Sequence, residues 1–301
     1  MSTGRTSPLF EGDIAIAYET FGNPADPPVL LIMGLGAQLL SWPEDFCRQL
    51  VDRGVFVVRF DNRDVGLSTH LHDLPAPDLA AIQRGDFATA PYTLSDMAGD
   101  TASLIEALGI DSAHVVGLSM GGMIGQVLAI EHPNRVRSLT SIMSTTGDPN
   151  VGQSTEEAFA HLTQPAARTR EEVLDRRVES QGVTGSPDYP TGEGELRDRA
   201  GQAFDRDFDP DGGARQLAAA LASPDRTTDL AEVRVPTLVI HGADDPLIQV
   251  SGGQATAVAV PDAELLVIDG MGHDLPRQVW PQVVERISSR IAGAEGQHPA
   301  S

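Results

Sequence analysis

Short apolar runs, each bounded by Gly, Pro, Asp or Asn, alternate along the chain with stretches whose apolar positions recur every three or four residues. The runs are Val29 to Met33, Val55 to Val58, His114 to Val116, Leu139 to Met143, Thr237 to Ile240 and Leu265 to Ile268. Their brevity and β-branched content predict buried strands. Between two of them, Met97, Ala98, Thr101, Leu104, Ile105 and Leu108 fall on one helical stripe. Thr93 stands at the N-cap position, Asp96 is placed to reach back to it, and Gly109 lies just past the end. Trp280, Val283, Val284, Ile287 and Ile291 repeat the helical pattern near the C-terminus.

Doubly buried strands alternating with helices predict an α/β protein with a mostly parallel central sheet flanked by helices. From Pro8 to Gly22, the alternation of Ile14, Ile16 and Tyr18 predicts an antiparallel hairpin at the sheet edge. The stretch from Asp148 to Thr228 has no strand-like run. It offers helical pieces at Thr155–Leu162, Arg170–Gln181 and Gly213–Ala222, with loop signals at Gly182 to Gly194 and Asp205 to Gly213. The expected division is a core over 1–147 and 229–292, a helical cap over 148–228 inserted between sheet strands, and a frayed tail over 293–301.

Composition narrows the class of function. The 301 residues carry 21 cations, all arginine, against 43 acids, a formal charge of −22. Such a surface repels phosphate backbones, which argues against nucleic acid and anionic membranes as partners. A single cysteine, Cys47, excludes an internal disulfide framework and a cysteine-based zinc cluster, and it reads as a small buried hydrophobe. No apolar run is long enough to span a membrane, and Met1 to Phe10 has no signal-like apolar segment. The expectation is a soluble, cytoplasmic protein whose oligomeric state is open.

The chemistry centres on Gly117-Leu118-Ser119-Met120-Gly121, a G-x-S-x-G sequence. Alone it is weak. Here it directly follows an expected strand and opens the helical run Met120 to Ile130, the strand–turn–helix context of a nucleophile elbow. Two glycines let the backbones close on a sharp turn, and the serine is presented at a helix N-terminus, where negative charge is favoured. The competing reading is a glycine-rich turn whose serine merely caps the helix.

A serine hydroxyl needs an adjacent base. His273, in the Gly270-Met271-Gly272-His273 loop after a strand, lies where sites of open α/β sheets gather. His241 reads as a structural neighbour, His114 as sitting at the far strand end, and His298 as part of the tail. The third group should be a carboxylate at another strand end. Asp245 and Asp244, in His241-Gly242-Ala243-Asp244-Asp245-Pro246, compete for the role, and Asp148 is a third candidate. For the oxyanion, the Met120 N–H is one donor, and the second comes from Gly34-Leu35-Gly36, with Leu35 preferred. Gly34, Gly36, Trp42 and Met123 are candidates for the substrate wall, with ordinary core packing the rival reading for Trp42 and Met123.

Taken together, Met33 to Gly36, Asp61 to Ser68, Gly117 to Gly122, His241 to Leu247 and Gly270 to Pro276 resemble the α/β-hydrolase superfamily. Within it the chain is similar to the serine esterase and lipase-like branch that includes aclacinomycin methylesterase. The resemblance runs from about Phe10 to Ile291, excepting the cap. It implies Ser119 as nucleophile, His273 as base, Asp245 as acid, and Leu35 with Met120 as oxyanion donors. It also implies that Asp61 to Ser68 shapes the site wall, where Arg63 and Asp64 read as a structural ion pair. Met33 stands where many relatives begin the oxyanion loop with histidine, a departure shared with the methylesterase-like branch.

The expected function is hydrolysis of small or medium soluble carboxylic esters through an acyl-enzyme, with water as co-substrate and no metal or organic cofactor. The same residues could serve a thioesterase, a C–C hydrolase or a cofactor-free haloperoxidase or perhydrolase. A non-catalytic ligand receptor on the same fold is the alternative of another class. An interfacial lipase is disfavoured, because the aromatic residues of the cap, Phe159, Tyr189, Phe204 and Phe208, are scattered among charges.

Overall fold

The computed structural model describes residues 5–6 and 14–297. Among the described residues, eight strands form one sheet: β1 (Arg5–Thr6), β2 (Ala17–Phe21), β3 (Pro28–Ile32), β4 (Phe56–Phe60), β5 (Ala113–Leu118), β6 (Val136–Ile142), β7 (Thr237–Gly242) and β8 (Glu264–Ile268). Their spatial order is β1-β2-β4-β3-β5-β6-β7-β8. β2 runs antiparallel to β1 and β4, and every pair from β4 to β8 is parallel. Of the hairpin expected over Pro8 to Gly22, the structure shows β2 as an antiparallel strand, and its outer partner β1 lies before the expected segment. Residues 8–13 of that expectation lie outside the described residues.

Eleven α-helices accompany the strands among the described residues. They are α1 (Glu44–Val51), α2 (Leu79–Gln83), α3 (Leu94–Ala107), α4 (Met120–Glu131), α5 (Glu156–Leu162), α6 (Arg170–Thr184), α7 (Glu193–Arg206), α8 (Gly212–Ala222), α9 (Thr227–Leu230), α10 (Ser251–Ala259) and α11 (Trp280–Gln297). None is long and apolar enough to cross a membrane.

The two-residue period of the strands divides the core. On β3, Leu30 and Ile32 face a cluster with Leu104 and Ile105 of α3 and Ile124 and Leu128 of α4. Val29 and Leu31 face the opposite cluster, with Phe46 and Leu50 of α1 and Val283 and Ile287 of α11. Each face is closed by its own pair of helices, as a sheet buried on both sides requires. β8 departs from the expected buried strand: Leu265 and Val267 are 38% and 37% exposed. Among the described residues it is the last strand and pairs only with β7, which leaves its outer side without cover from them.

α3 carries the predicted capping box between Thr93 and Asp96, and Gly109 follows it at φ +69°. α5, α6 and α8 stand close to the expected helical pieces. α7 is a correction, because its charged, glycine-containing sequence read as loop at both ends. Arg197 holds it in place, pairing with Glu193 one turn back and reaching Glu171 and Asp175 on α6. Residues 293–297, expected to belong to a frayed tail, are helical instead. α11 continues through Gln297 with Ala294 buried, and residues 298–301, including His298, lie outside the described residues.

Candidate active site

The chain leaves β5 through a turn that few residues tolerate. Ser119 sits at φ 56°, ψ −120°, strained backbone for a residue with a Cβ. Close packing enforces it: a Cβ on Gly117 would overlap the Gly121 carbonyl, and one on Gly121 would overlap the carbonyl of Ile32. The Ser119 amide donates to the Ile142 carbonyl at 2.8 Å, which ties the turn to β6. Gly117→Ala is therefore expected to destabilise the protein by at least about 3 kcal/mol. Urea unfolding checks this, and a loss below about 1 kcal/mol would contradict the packing argument.

Three strand ends bring the predicted polar residues together. His273 Nε2 lies 2.9 Å from Ser119 Oγ, and His273 Nδ1 lies 2.6 Å from Asp245 Oδ2. Asp245 Oδ1 accepts from the amides of Leu247 (2.8 Å) and Ile248 (2.9 Å). Burial raises the Asp245 pKa, but attraction to His273, the hydrogen bond to His273 and the nearness of His241 outweigh it and hold the carboxyl at about 2. His241 stays beside this chain, its Nε2 2.7 Å from the Ile248 carbonyl and 3.6 Å from Asp245 Oδ2.

The other carboxylate candidates are engaged elsewhere. Asp244 accepts the Gly270 amide at 2.8 Å and so fixes the turn that precedes His273. Asp148 accepts from the backbone and side chain of Asn150.

The insertion between β6 and β7 also reaches the histidine. The His273 amide donates to the Thr184 carbonyl at the end of α6, at 2.7 Å. Ser186 accepts the Gly272 amide at 2.9 Å, and its own amide and hydroxyl bond to Asp274. Nothing in the sequence pattern marks these contacts, because they depend on how α6 ends against the loop after β8.

The loop after β3 touches the elbow, with a notional Gly34 Cβ 3.2 Å from the Ser119 Cβ. The Gly36 amide is already donated to Gln216 Oε1 at 2.7 Å, which removes it from the candidate oxyanion donors. Gly34, Leu35 and Gly36 line a cavity of about 590 Å³ together with Ser119 and His273. Trp42 and Met123 do not. Trp42 is fully buried and stacks on Phe46 at 5.4 Å, and Met123 packs against the cluster of α3 and α4. Met120 is buried too, so its side chain belongs to the core while its amide opens the helix.

Arg63 and Asp64 form no pair with each other, which corrects the expectation. Arg63 pairs with Asp100 at 2.6 Å and Asp64 with Arg215 at 2.7 Å. Asp64 lies at φ 68°, and that turn sends the neighbouring side chains to different partners. Asp61 behaves similarly, accepting the Leu39 and Leu67 amides and pairing with Arg206 at 2.7 Å. These bonds clasp the site wall to the inserted helices.

Among the described residues, His70, His72 and Asp209 approach one another closely enough to hold a metal ion. Asp209 Oδ2, however, already meets the Arg215 guanidinium at 2.6 Å and His70 Nδ1 at 3.1 Å, so the trio reads as part of the same clasp. Cys47 is buried, and burial pushes its thiol up to about 12, which leaves it an unreactive hydrophobe.

Comparison with known proteins adds the family context. Residues 27–276 match the family described as alpha/beta hydrolase fold. Rhodomycin D methylesterase DnrP of Streptomyces peucetius is 30% identical, over 96% of this chain and 99% of its own. DauP of Streptomyces sp. strain C5, with the same enzyme name, matches at 30% over the same shares. A thermophilic esterase from Thermogutta terrifontis superposes with a TM-score of 0.69 at 23% identity, covering 98% of this chain and 99% of that one. The enol-lactonase of Burkholderia xenovorans LB400 gives 0.69 at 21%, covering 96% and 100%. At these identities the two structures speak for the fold.

Proposed function

The chain belongs to the α/β-hydrolase fold family, and from that premise we propose that it hydrolyses carboxylic esters with Ser119 as nucleophile. The observation that carries this reading is the unbroken line from Ser119 Oγ through His273 to Asp245, opening on the cavity. Similarity to enzymes named as methylesterases supports the ester as the bond attacked.

In the proposed reaction Ser119 Oγ adds to the ester carbonyl while His273 Nε2 takes its proton. Asp245 holds the imidazole with Nδ1 protonated and Nε2 free to accept, and it stabilises the imidazolium that forms. The amides of Leu35 and Met120 receive the oxyanion, the Gly36 amide being occupied. The imidazolium then returns its proton to the departing alkoxide, and water attacks the acyl-serine by the same route in reverse. The methylesterase relatives make a small alcohol such as methanol the leaving group of choice, which leaves the cavity to the acyl part. The helices of 148–228 act as a cap, since α6 and α7 contribute to the cavity wall.

A fluorophosphonate tests the nucleophile directly. One equivalent is expected to label Ser119, found by peptide mass mapping, with parallel loss of methyl ester hydrolysis. A folded protein that neither labels at Ser119 nor cleaves any ester would defeat the proposal and favour a ligand receptor.

A further inference from the structure

The cavity that holds Ser119 and His273 is also lined by Arg176 and Arg177 of α6 and Arg199 of α7. In a chain with 43 acids and 21 cations, counter-charges are abundant, and Arg197 alone engages three carboxylates. The Arg177 side chain, by contrast, makes no hydrogen bond and no ion pair among the described residues. Its helical neighbours at three and four residues are Val173, Leu174, Ser180 and Gln181, none of them acidic. Arg176 donates Nη1 to the Pro165 carbonyl at 2.7 Å and leaves its Nε buried and unbonded. Arg199 has a partner, Glu195, on its own helix.

The surroundings of Arg177 penalise its charge. Arg177 is an exposed residue whose side chain opens onto the cavity wall, and the protein packed about its guanidinium pulls its pKa down. Attraction to Asp274 opposes this and repulsion from Arg199 adds to it. None of the acids that share the wall pairs with Arg177. Asp64 and Asp209 meet Arg215 at 2.7 and 2.6 Å, Asp274 takes the Ser186 amide and hydroxyl, and Asp207 lies 3.1 Å from His70 with its Oδ2 buried and without a hydrogen bond. Among the described residues, the wall therefore presents one guanidinium without a hydrogen bond or an ion pair, and a guanidinium offers the planar fork of donors that a carboxylate matches.

We propose that Arg177 binds an anionic group of the substrate, so that the ester acted on carries a carboxylate on its acyl part, remote from the scissile bond. This rests on the reading of Ser119 as nucleophile and of a small departing alcohol. Arg177 is a specificity residue in this scheme and touches no reacting atom.

The test compares monomethyl esters of dicarboxylic acids, from glutarate to suberate, with methyl esters of monoacids of the same length. At one chain length or more, the carboxylate-bearing ester is expected to be preferred about tenfold to a hundredfold in kcat/KM, the range for a hydrogen bond to a charged group. Added salt should shrink that ratio. Arg177→Gln should cut it by about tenfold or more, and Arg177→Lys should retain part of it. A wild type indifferent to the carboxylate at every length overturns the proposal, as does an Arg177→Gln loss that falls equally on both ester classes. Failure of the esterase reading shows up separately, as no turnover and no fluorophosphonate label. The anion site is then decided by calorimetry of monomethyl adipate on the Ser119→Ala protein: binding that Arg177→Gln abolishes sustains it, and absence of binding refutes it.

Discussion

Ser119→Ala is expected to lower kcat for methyl ester hydrolysis by a factor on the order of a million while leaving the fold intact. Both halves follow from the geometry. The Ser119 hydroxyl bonds to His273 Nε2, and deleting it removes the only atom proposed to form the acyl bond. The elbow does not depend on that hydroxyl. It is held by the close approach of Gly117 and Gly121 to neighbouring carbonyls and by the Ser119 amide on Ile142. Alanine meets the same positive φ with the same Cβ, so the backbone strain is equal in both proteins and cancels in the comparison. Unfolding free energy should change by less than about 1 kcal/mol. Retention of more than about one hundredth of the activity by a folded variant would remove Ser119 from the nucleophile's role.

How much of this was legible in the sequence depended on whether the deciding interaction was local. The strands showed because short β-branched runs end at turn residues, and α3 showed because Thr93, Asp96 and Gly109 signal its ends within a few positions. Ser119 was legible because its turn needs glycines at fixed spacing, and His273 because it follows a strand into a loop. α7 was not legible, since Gly194, Gly201 and its run of charges are poor helix signals and its support comes from α6 through Arg197. The partners of Arg63 and Asp64 were hidden for the same reason. They lie 37 and 151 residues away, at Asp100 and Arg215, and no spacing rule spans such a gap. Trp42 and Met123 were plausible wall residues by type, and only packing assigns them to the interior. Arg177 left a faint local trace, an arginine on a helix with no acid one turn away, but its meaning appears only when α6 is placed over the cavity.

The rivalry between Asp244 and Asp245 shows that adjacency can conceal a division of labour. One carboxylate orders the Gly270 turn, and the next meets the imidazole. Substituting each by asparagine should separate them. Asp244→Asn keeps a side-chain oxygen to accept the Gly270 amide, so its effect on kcat is expected to stay within about tenfold.

Asp245→Asn is expected to cost about ten-thousandfold in kcat, because the site dictates which way the amide points. Oδ1 of Asp245 accepts two backbone amides, from Leu247 and Ile248. An asparagine must keep its oxygen there, since turning its NH2 toward two N–H groups would leave three donors facing one another. Its NH2 then faces His273 Nδ1 and can only donate to it. The imidazole is forced into the tautomer with Nε2 protonated, which cannot accept the proton of Ser119. The variant should therefore bind substrate and fold, yet fail in the proton transfer. A second readout follows from the carboxyl being held at about 2, below the ordinary value of 3.8. Its contribution to stability is complete above pH 4 and is lost as pH falls toward 2, a span worth about 2 kcal/mol. The wild type should lose that stability on acidification between pH 4 and 2, and Asp245→Asn should lack this part of the slope. Urea unfolding across that range measures it. An Asp245→Asn protein that keeps near-normal kcat would show that the imidazole is oriented without this carboxylate, and the relay from Asp245 to Ser119 would have to be abandoned.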